Sequence, residues 1–563
     1  MDHVNSGQLR SRHLQLWYRL AFHRLRWLPG LALVCVGYLA VSTYLITQPA
    51  IYLDEINPDY LAVKIIHPNS HTAAWVMPGN DLIRGRFPLF LAGTPYNASW
   101  HAYLQVPFLY LLGGTVESFR MSHVLLGILL LSALFALVAN VSGSIALATL
   151  TSTVLALDPA FIFAFRTQGF QMLFPAFFIL LGILLCYPSG ARLGRFFLAG
   201  IFFGLSAWGY FIYFFALPGV LLAVYLRKEA HKWRRAMVLL LGIFIGVIPY
   251  FIAYVKFIDY FGNVGATVYW LKSVLQGMNR AQHPVGATSI FSSLAAGSFG
   301  VVQKCWTFIT GEWVWEVIFG LWHKDPGQYA KAAVLIVLPL IAYSFKRFRR
   351  DAEPNQQNGL LLGALATLSY LVMCIPLGGL LLVHHYHPVL PLLYFTAAIS
   401  GSLLLAGATH KSLLSLIFSL ALMGCNLNMT LATFKELRDV GGAKFYSHVV
   451  TDYPLEEAKG KDVTPHVFVD WGGMLQFIYL TEGRIPTYDV RQLTSGDQIP
   501  LRKALCKLGD AKLIFIGDGA ATRAKTYLQS QQIPVQSERT ITDEGGSFSY
   551  VIVQTSPRWE QCQ

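Results

Sequence analysis

Long apolar segments alternate with short polar or basic stretches over most of the chain. The first, residues 27–50, reads WLPGLALVCVGYLAVSTYLITQPA, and it is longer than the roughly 20 apolar residues that a transmembrane helix needs. The same pattern recurs and predicts eleven membrane spans, with two long polar loops at 49–118 and 258–330. The stretch 286–322 is apolar and aromatic enough to hold a further pair of spans. The predicted spans cover about 27–48, 119–141, 144–164, 170–187, 196–210, 211–226, 236–257, 331–345, 360–380, 386–407 and 412–430.

The pattern changes after residue 430. Short runs typical of β-strands, namely HVFVD, KLIFIG and SYVIVQT, alternate with helical stretches such as 519–531. These runs predict a small α/β domain over residues 431–563. The segment FIGDGAATR contains Gly517 and Gly519, which favour a strand-to-helix turn, because a phosphate-binding loop needs more of the glycine pattern.

Composition agrees with a protein that crosses the membrane many times. Of the 563 residues, 54% are hydrophobic and 13% are charged, and the mean hydropathy is +0.48. Soluble domains carry about 25% charged residues. We therefore predict a polytopic α-helical membrane protein, with a transmembrane domain over residues 27–430 and the α/β domain after it.

The formal net charge of +13 is compatible with a nucleic-acid partner. However, the basic residues gather between apolar runs, as in RKEAHKWRR (227–235) and KRFRR (346–350), which is the positive-inside pattern of cytoplasmic loops. We therefore predict the lipid bilayer, and no nucleic acid, as a partner. Residues 1–26 are expected to form a basic cytoplasmic N-terminus before an uncleaved signal anchor. Eleven spans then place the C-terminus outside the cytoplasm, and a bacterial inner (plasma) membrane is expected.

The cysteines suggest one cross-link and no metal motif. Cys506 and Cys562 both lie in the predicted outer domain, where an oxidising compartment would permit a disulfide. From the sequence, a disulfide and a pair of free thiols are equally compatible with these positions. The chain contains no C-x-x-C, H-E-x-x-H or P-loop motif. We predict no metal and no cofactor.

The strongest candidate for chemistry is the adjacent pair Asp54 and Glu55, just after the first span. Carboxylates at a membrane surface are costly to hold and are usually kept for a function. A membrane enzyme can use a carboxylate in this position as a base. We therefore predict that the pair belongs to a reaction site at the membrane surface.

Other charged residues of the loop 49–118 fall into two groups. Asp59, Lys64 and Asp81 are expected to be solvated loop residues. Arg84 and Arg86 are compatible with either substrate contact or a solvated loop, and the sequence leaves both open.

Arg166 ends the segment DPAFIFAFR on the predicted outer side, where a cation breaks the positive-inside trend. It is either an interfacial arginine whose stem lies along apolar surface or part of an anion site that faces Asp54. Gln168 and Gln171 are candidate helpers in such a site.

A further group, His384, His385, Tyr386 and His387, stands in the segment LLVHHYHPVLP. Three histidines suggest a metal, but metal catalysis requires fixed ligands and an open coordination position. This run opens a helix before Pro388, which favours substrate orientation or phosphate binding over zinc.

Together these residues resemble the C-type glycosyltransferase superfamily (GT-C), especially the protein O-mannosyltransferases and the bacterial lipid A aminoarabinose transferases. The resemblance covers about residues 27–430. It rests on the Asp-Glu pair, the stretch GRFPLFLAGTPYNASWHAYLQVPFLYLLGG leading to SFRMSHVLLG, the segment DPAFIFAFR and the HYHPVLP segment. The chain lacks the His-Pro-Pro segment of the O-mannosyltransferases, and its outer domain reads as α/β where eukaryotic members have a β-trefoil insertion. It fits the bacterial branch that decorates lipids, glycans or other envelope polymers.

The resemblance implies a sugar linked to a polyprenyl phosphate as donor, and an envelope lipid, glycan or protein as acceptor. Asp54 would take the proton from an acceptor hydroxyl, whose oxygen would attack the anomeric carbon with inversion. Glu55 would shape the site or hold the acceptor. Arg166, with Arg84 or His385, would stabilise the leaving phosphate, where charge develops in the transition state.

Three other functions fit a polytopic chain. A lipid-linked glycan polymerase or ligase also works on the outer face, but it depends on arginines and a histidine in place of an acidic base after the first span. A transporter or flippase often shows paired repeats and midplane charges, whereas the ionisable groups here crowd the outer face. A structural envelope scaffold would tolerate loss of Asp54 and Glu55.

Overall fold

A computed structural model describes most of the chain. The described residues are 25–68, 70, 81–83, 89–94, 96–167, 169–227, 229, 231–269, 290–344, 353–377, 381–406, 408–470, 472–494, 500–543, 546 and 548–555. Arg84, Arg86, Gln168 and Cys562, which the sequence singles out, lie outside these residues.

Helices build the chain up to residue 440. In order they are α1 (Leu28–Thr43), α2 (Leu53–Ile56), α3 (Leu61–Ile66), α4 (Trp100–Leu112), α5 (Val116–Ser142), α6 (Ile145–Ala156), α7 (Pro159–Ala164), α8 (Gly169–Leu173), α9 (Ala176–Cys186), α10 (Leu193–Gly209), α11 (Leu217–Leu226), α12 (Lys232–Phe261), α13 (Ile290–Ile309), α14 (Glu312–Phe319), α15 (Pro326–Ser344), α16 (Pro354–Cys374), α17 (Val389–Leu404) and α18 (Lys411–Val440). Short antiparallel strand pairs, β1 (Asp81–Ile83) with β2 (Leu89–Phe90) and β3 (Ala92–Thr94) with β4 (Asn97–Ala98), lie between α3 and α4.

Six helical stretches are long and apolar enough to cross a membrane, judged by length and composition of the described residues. They are Val116–Ser142, Gly169–Cys186, Lys232–Phe261, Pro354–Leu377, Val383–Leu404 and Lys411–Val440. Shorter apolar helices are Leu28–Thr43, Ile145–Ala156, Leu193–Gly209, Phe211–Leu226 and Pro326–Ala342. The predicted polytopic α-helical fold is confirmed.

The predicted span at 144–164 is two helices, α6 and α7, and the single-helix prediction is wrong. Asp158 caps α7 by accepting a hydrogen bond from the Ala160 amide at 2.8 Å. Pro159 follows at the first helical position, where its missing N–H is not needed. The Asp-Pro pair thus starts a new helix and turns the chain towards the segment that carries Arg166.

The second predicted polar loop contains helical structure. Within the stretch 286–322, α13 is followed by α14, which lies between Gly311 and Gly320, both at positive φ. Neither helix is among the six described stretches that are long and apolar enough to cross a membrane.

Glycines allow α10 and α12 to cross in direct backbone contact. A Cβ on Gly204 would lie 2.3 Å from the Ile243 carbonyl oxygen, and a Cβ on Gly246 would lie 2.3 Å from the Ile201 carbonyl oxygen. Gly200 and Gly242 make the same reciprocal approach one helical turn away. Small residues spaced in this way let membrane helices pack closely.

The C-terminal region is an α/β domain, as predicted. Its five-stranded sheet has the order β6-β5-β7-β9-β8, in which β5, β6 and β7 are parallel, β9 pairs antiparallel with β7, and β8 pairs antiparallel with β9. Its elements are α19 (Val449–Lys459), β5 (His466–Phe468), α20 (Met474–Leu480), β6 (Thr487–Asp489), α21 (Val490–Leu493), α22 (Leu501–Leu508), β7 (Ala511–Asp518), α23 (Ala520–Ser530), β8 (Val535–Thr542) and β9 (Phe548–Thr555). Cys506 is disulfide-bonded.

One face of this domain shares a hydrophobic core with the segment that follows α1. Ile56 and Val63 are fully buried in the same cluster as Phe477 and Ile478 of α20. The Gln476 side chain also donates to the Ile51 carbonyl at 3.2 Å. The C-terminal domain therefore holds the acidic segment directly, although the two are far apart in sequence.

Candidate active site

The acidic pair lies in α2, a single helical turn that follows the end of α1. Glu55 is completely buried, and its Oε1 accepts a hydrogen bond from Arg120 Nε at 3.1 Å. Its Oε2 accepts from Arg120 Nη2 at 3.4 Å and from the Tyr52 amide at 3.2 Å. Burial raises the pKa of the Glu55 carboxyl, and the neighbouring Arg120 limits the rise. Glu55 is therefore held by one cation and by the backbone of its own turn.

Arg120, in the first turns of α5, ties several parts of the chain together. Besides Glu55, its guanidinium donates to the carbonyls of Ile46 at 2.9 Å and Ala50 at 3.3 Å, and a longer contact of 3.5 Å reaches the Arg166 carbonyl. A buried arginine with this many acceptors is fixed in place. Arg120 therefore anchors the loop that leads from α1 to Asp54, and the sequence alone gives no local signal for this role.

Asp54 differs from Glu55 in exposure and in partners. Its side chain is partly exposed, and no ion pair to it is found among the described residues. Burial raises the pKa of the Asp54 carboxyl to about 6, and a hydrogen bond from the Tyr52 side chain limits the rise. An unpaired carboxylate with a pKa near neutrality suits a general base.

The backbone of Asp54 is fixed by Gln171 of α8. Gln171 Nε2 donates to the carbonyls of both Asp54 and Asn57, while its Oε1 accepts from Asn97 Nδ2 at 2.8 Å. Gln171 thus holds Asp54 through its main-chain carbonyl.

Asp59 is buried, and the prediction of a solvated loop residue is wrong. His101 of α4 contacts Asp59 Oδ1 at 2.5 Å, and His123 of α5 contacts Oδ2 at 2.8 Å. Burial alone would raise the pKa of the Asp59 carboxyl, but the two histidines together hold it below its usual value. The ring of Phe170 stacks on His123 at 3.8 Å between centroids. The acidic segment is therefore anchored a second time, by ring nitrogens from two helices.

Arg166 is buried at the end of α1. Its guanidinium donates to the carbonyls of Ser42 at 2.6 Å and Leu45 at 3.1 Å, and it lies over the ring of Phe434 at 5.1 Å. A cation stabilises the partial negative charge of a helix C-terminus. Arg166 therefore caps α1, and its contact with a leaving phosphate stays a prediction.

The histidine segment after α16 is held by local contacts. His384 and Tyr386 are buried, and the Leu382 amide donates to His385 Nδ1 at 2.9 Å. The His387 ring packs on Phe308, with centroids 4.5 Å apart. Their substrate-binding role stays a prediction. No group of three or more histidine, cysteine, aspartate or glutamate side chains suited to a metal ion is found in the described part of the chain.

Aromatic rings connect the histidine segment with the loop that carries the acidic pair. The Tyr210 ring lies 6.3 Å from that of His385 and 5.7 Å from that of Tyr96. The Phe211 amide donates to the Tyr96 carbonyl at 2.9 Å. The structure thus links the two predicted parts of the site through Tyr210 and Tyr96.

No protein-family model and no curated protein matches the chain. Among solved structures, it is similar to ArnT from Cupriavidus metallidurans bound to undecaprenyl phosphate, with a TM-score of 0.55, 14% identity, and coverage of 94% of this chain and 98% of that chain. The oligosaccharyltransferase of Archaeoglobus fulgidus in its apo form gives a TM-score of 0.46, 13% identity, and coverage of 95% and 75%. ArnT from Cupriavidus metallidurans in the apo state gives 0.42, 15%, and 94% and 98%.

At 14% identity the similarity shows the fold alone, and the fold is the one found in ArnT, which is a C-type glycosyltransferase. The chain follows this fold over nearly the full length of both chains. The resemblance to GT-C proteins that the sequence indicates is confirmed at the level of the fold.

Proposed function

We propose that the protein is an integral membrane glycosyltransferase that uses a polyprenyl-phosphate sugar as donor and Asp54 as its base. The observation that carries the proposal is the different surroundings of the two adjacent carboxyl groups. Glu55 is paired with Arg120, whereas Asp54 is partly exposed and has no cationic partner among the described residues. The GT-C fold supports the reaction class. The undecaprenyl phosphate bound to the similar ArnT supports the choice of donor.

In the proposed reaction, an acceptor hydroxyl gives its proton to the Asp54 carboxylate. The hydroxyl oxygen forms a bond to the anomeric carbon from the side opposite the phosphate, so the configuration inverts. The bond between the anomeric carbon and the phosphate oxygen breaks, and polyprenyl phosphate leaves with the electron pair. Positive groups near that oxygen favour the transition state, and the candidates are Arg166, with Arg84 or His385. His384 and Tyr386 are further candidates for substrate binding.

The scheme requires no metal or cofactor, because a monophosphate leaving group can be stabilised by cationic side chains. The acceptor is an envelope lipid, glycan or protein. We place the site on the outer face of the inner (plasma) membrane, with the N-terminus in the cytoplasm and the C-terminal domain outside. This orientation rests on the distribution of basic residues.

The proposal is tested by sugar transfer from a panel of radiolabelled polyprenyl-phosphate sugars to an envelope extract, with purified protein. We expect incorporation with the wild type and none with Asp54→Asn, which keeps the shape of the side chain and removes its basicity. Asp452→Asn, which changes an exposed aspartate of α19, is the matched control and should behave as wild type.

Three outcomes contradict the proposal. If Asp54→Asn retains turnover, Asp54 is not the general base. Transfer only from diphosphate-linked donors points to a glycan polymerase or ligase. A folded protein that transfers from no donor points to transport or to a structural role.

A further inference from the structure

Tyr446 belongs to a tight turn that joins α18 to the α/β domain. Gly441 has a φ of +70°, and a Cβ on Gly442 would lie 2.2 Å from the Tyr446 carbonyl oxygen, so the turn depends on glycine at both positions. The same carbonyl accepts a hydrogen bond from the Ala50 amide at 2.9 Å. Tyr446 is thereby fixed against the segment that leads to Asp54.

The Tyr446 ring lies beside the tyrosine that serves the base. Its centroid is 5.2 Å from that of Tyr52, and the Tyr52 side chain hydrogen-bonds Asp54. Burial raises the pKa of the Tyr446 phenol well above its usual value, with Glu55, Tyr52 and Asp54 adding to the rise. The phenol is therefore protonated and can donate a hydrogen bond.

This donor has no acceptor in the described part of the protein. Tyr446 is only 4% exposed, and its hydroxyl is among the buried side-chain oxygens without a hydrogen-bond partner. Most buried polar groups in native proteins are paired, so this hydroxyl is left available to donate to a bound group. Because the Asp54 carboxylate acts electrostatically on the Tyr446 phenol, an anionic phosphate would be repelled here, whereas an uncharged hydroxyl would not.

We propose that the Tyr446 hydroxyl donates a hydrogen bond to a hydroxyl-bearing acceptor substrate held at Asp54. The inference rests on the proposed function and deepens it, since it places the acceptor between the acidic pair and the start of the C-terminal domain. The acceptor is then a neutral, oxygen-rich group such as a sugar hydroxyl. The turn after α18 contributes to acceptor recognition, and the phosphate of the donor lies on the opposite side of the anomeric carbon.

The test is Tyr446→Phe, which removes one oxygen and keeps the ring against Tyr52. No hydrogen bond within the described protein is broken, so the thermal unfolding temperature should not fall. We expect kcat/KM for the acceptor to fall about tenfold, as for the loss of one hydrogen bond, with the donor KM unchanged. The acceptor is supplied as a dilution series of the envelope fraction that the wild type labels.

Tyr550→Phe is the matched control. Tyr550 of β9 is also a buried tyrosine whose hydroxyl lacks a partner among the described residues, but its ring packs within the α/β domain on that of Tyr453 of α19, with centroids 5.0 Å apart. It should leave both kinetic constants unchanged. Wild-type kinetics in Tyr446→Phe, a rise in donor KM alone, or a lowered unfolding temperature would each overturn the inference.

Asp54→Asn in the same assay separates the two proposals. If Asp54→Asn is inactive and Tyr446→Phe has wild-type constants, the glycosyltransferase proposal stands and the acceptor contact is rejected. A folded wild type that transfers nothing rejects both.

Discussion

Arg120 binds both carboxylate oxygens of Glu55 at 3.1 and 3.4 Å, and so holds one of two adjacent acids in a buried ion pair. Asp54, one residue earlier, has no such cation among the described residues and is partly exposed. Two adjacent carboxyl groups therefore have different surroundings. Glu55 is held in its turn, and the proposed function assigns the proton transfer to Asp54.

The pH dependence of transfer should report the ionisation of Asp54. A base must be unprotonated, and the pKa of Asp54 is raised to about 6 by burial. We therefore expect kcat/KM to be full at neutral pH and to fall as the pH drops through about 6. Tyr52→Phe removes a hydrogen bond that favours the charged carboxylate, so the acidic limb should move to higher pH. An unchanged limb in Tyr52→Phe would contradict the assignment.

Breaking the Arg120–Glu55 pair should destabilise the protein strongly. Glu55→Gln leaves a buried guanidinium without its carboxylate, and loss of one partner of a buried pair costs about 3–5 kcal/mol. The measurement is thermal unfolding in detergent. Glu456→Gln is the control, because Glu456 pairs with Arg539 at 2.7 Å on the surface with both side chains about half exposed; such pairs contribute about 0–1 kcal/mol. Equal shifts for the two variants would argue against a buried charge pair.

Asp59→Asn should lower stability without changing the size of the side chain. The carboxylate accepts from His101 and His123, whereas an amide presents an N–H to one of the two rings. Hydrogen bonds to charged groups contribute about 1.5–3 kcal/mol each. We expect a lower unfolding temperature and a lower kcat, because the anchored segment also carries Asp54. The exposed Asp452→Asn is again the control, and an unfolding temperature equal to it would show that the two histidine contacts add nothing.

The crossing of α10 and α12 gives a prediction that is independent of the active site. In Gly204→Ala the new Cβ would lie only 2.3 Å from the Ile243 carbonyl oxygen, so the two helices must separate. Gly194→Ala, in the same helix, meets nothing within 4 Å. The first variant should lower the unfolding temperature. The second should leave it unchanged or raise it, since alanine is a better helix former by roughly 0.5–1 kcal/mol. Similar shifts in both would contradict the close crossing.

The sequence predicts those features that depend on neighbouring residues. Hydropathy is local, so it identifies the apolar helices and the α/β domain. The acidic pair is recognised because it directly follows the first apolar segment. The break at Asp158-Pro159 also has a local signal, an N-cap followed by proline, although the apolar run on both sides hides it.

The partners of the acidic segment have no such signal. Arg120 and Glu55 are separated by 65 positions, and His123 and Asp59 by 64. Each of these residues, taken alone, resembles an ordinary polar group near a helix end. Only the packing of α4 and α5 against the segment shows that Asp59 is buried and that Glu55 is paired. Tyr446 is more distant still, and its position beside Tyr52 depends on a turn that the hydropathy pattern does not reveal.

The core shared by the acidic segment and α20 has a consequence for biosynthesis. Ile51 emerges from the ribosome early, whereas Gln476, which binds its carbonyl, is made 425 positions later. The segment that carries Asp54 therefore reaches its final packing only after the C-terminal domain has been translated and folded onto it. Partly synthesised chains in the membrane contain Asp54 without the surroundings that hold it, so the packing around the acidic pair is completed late in translation.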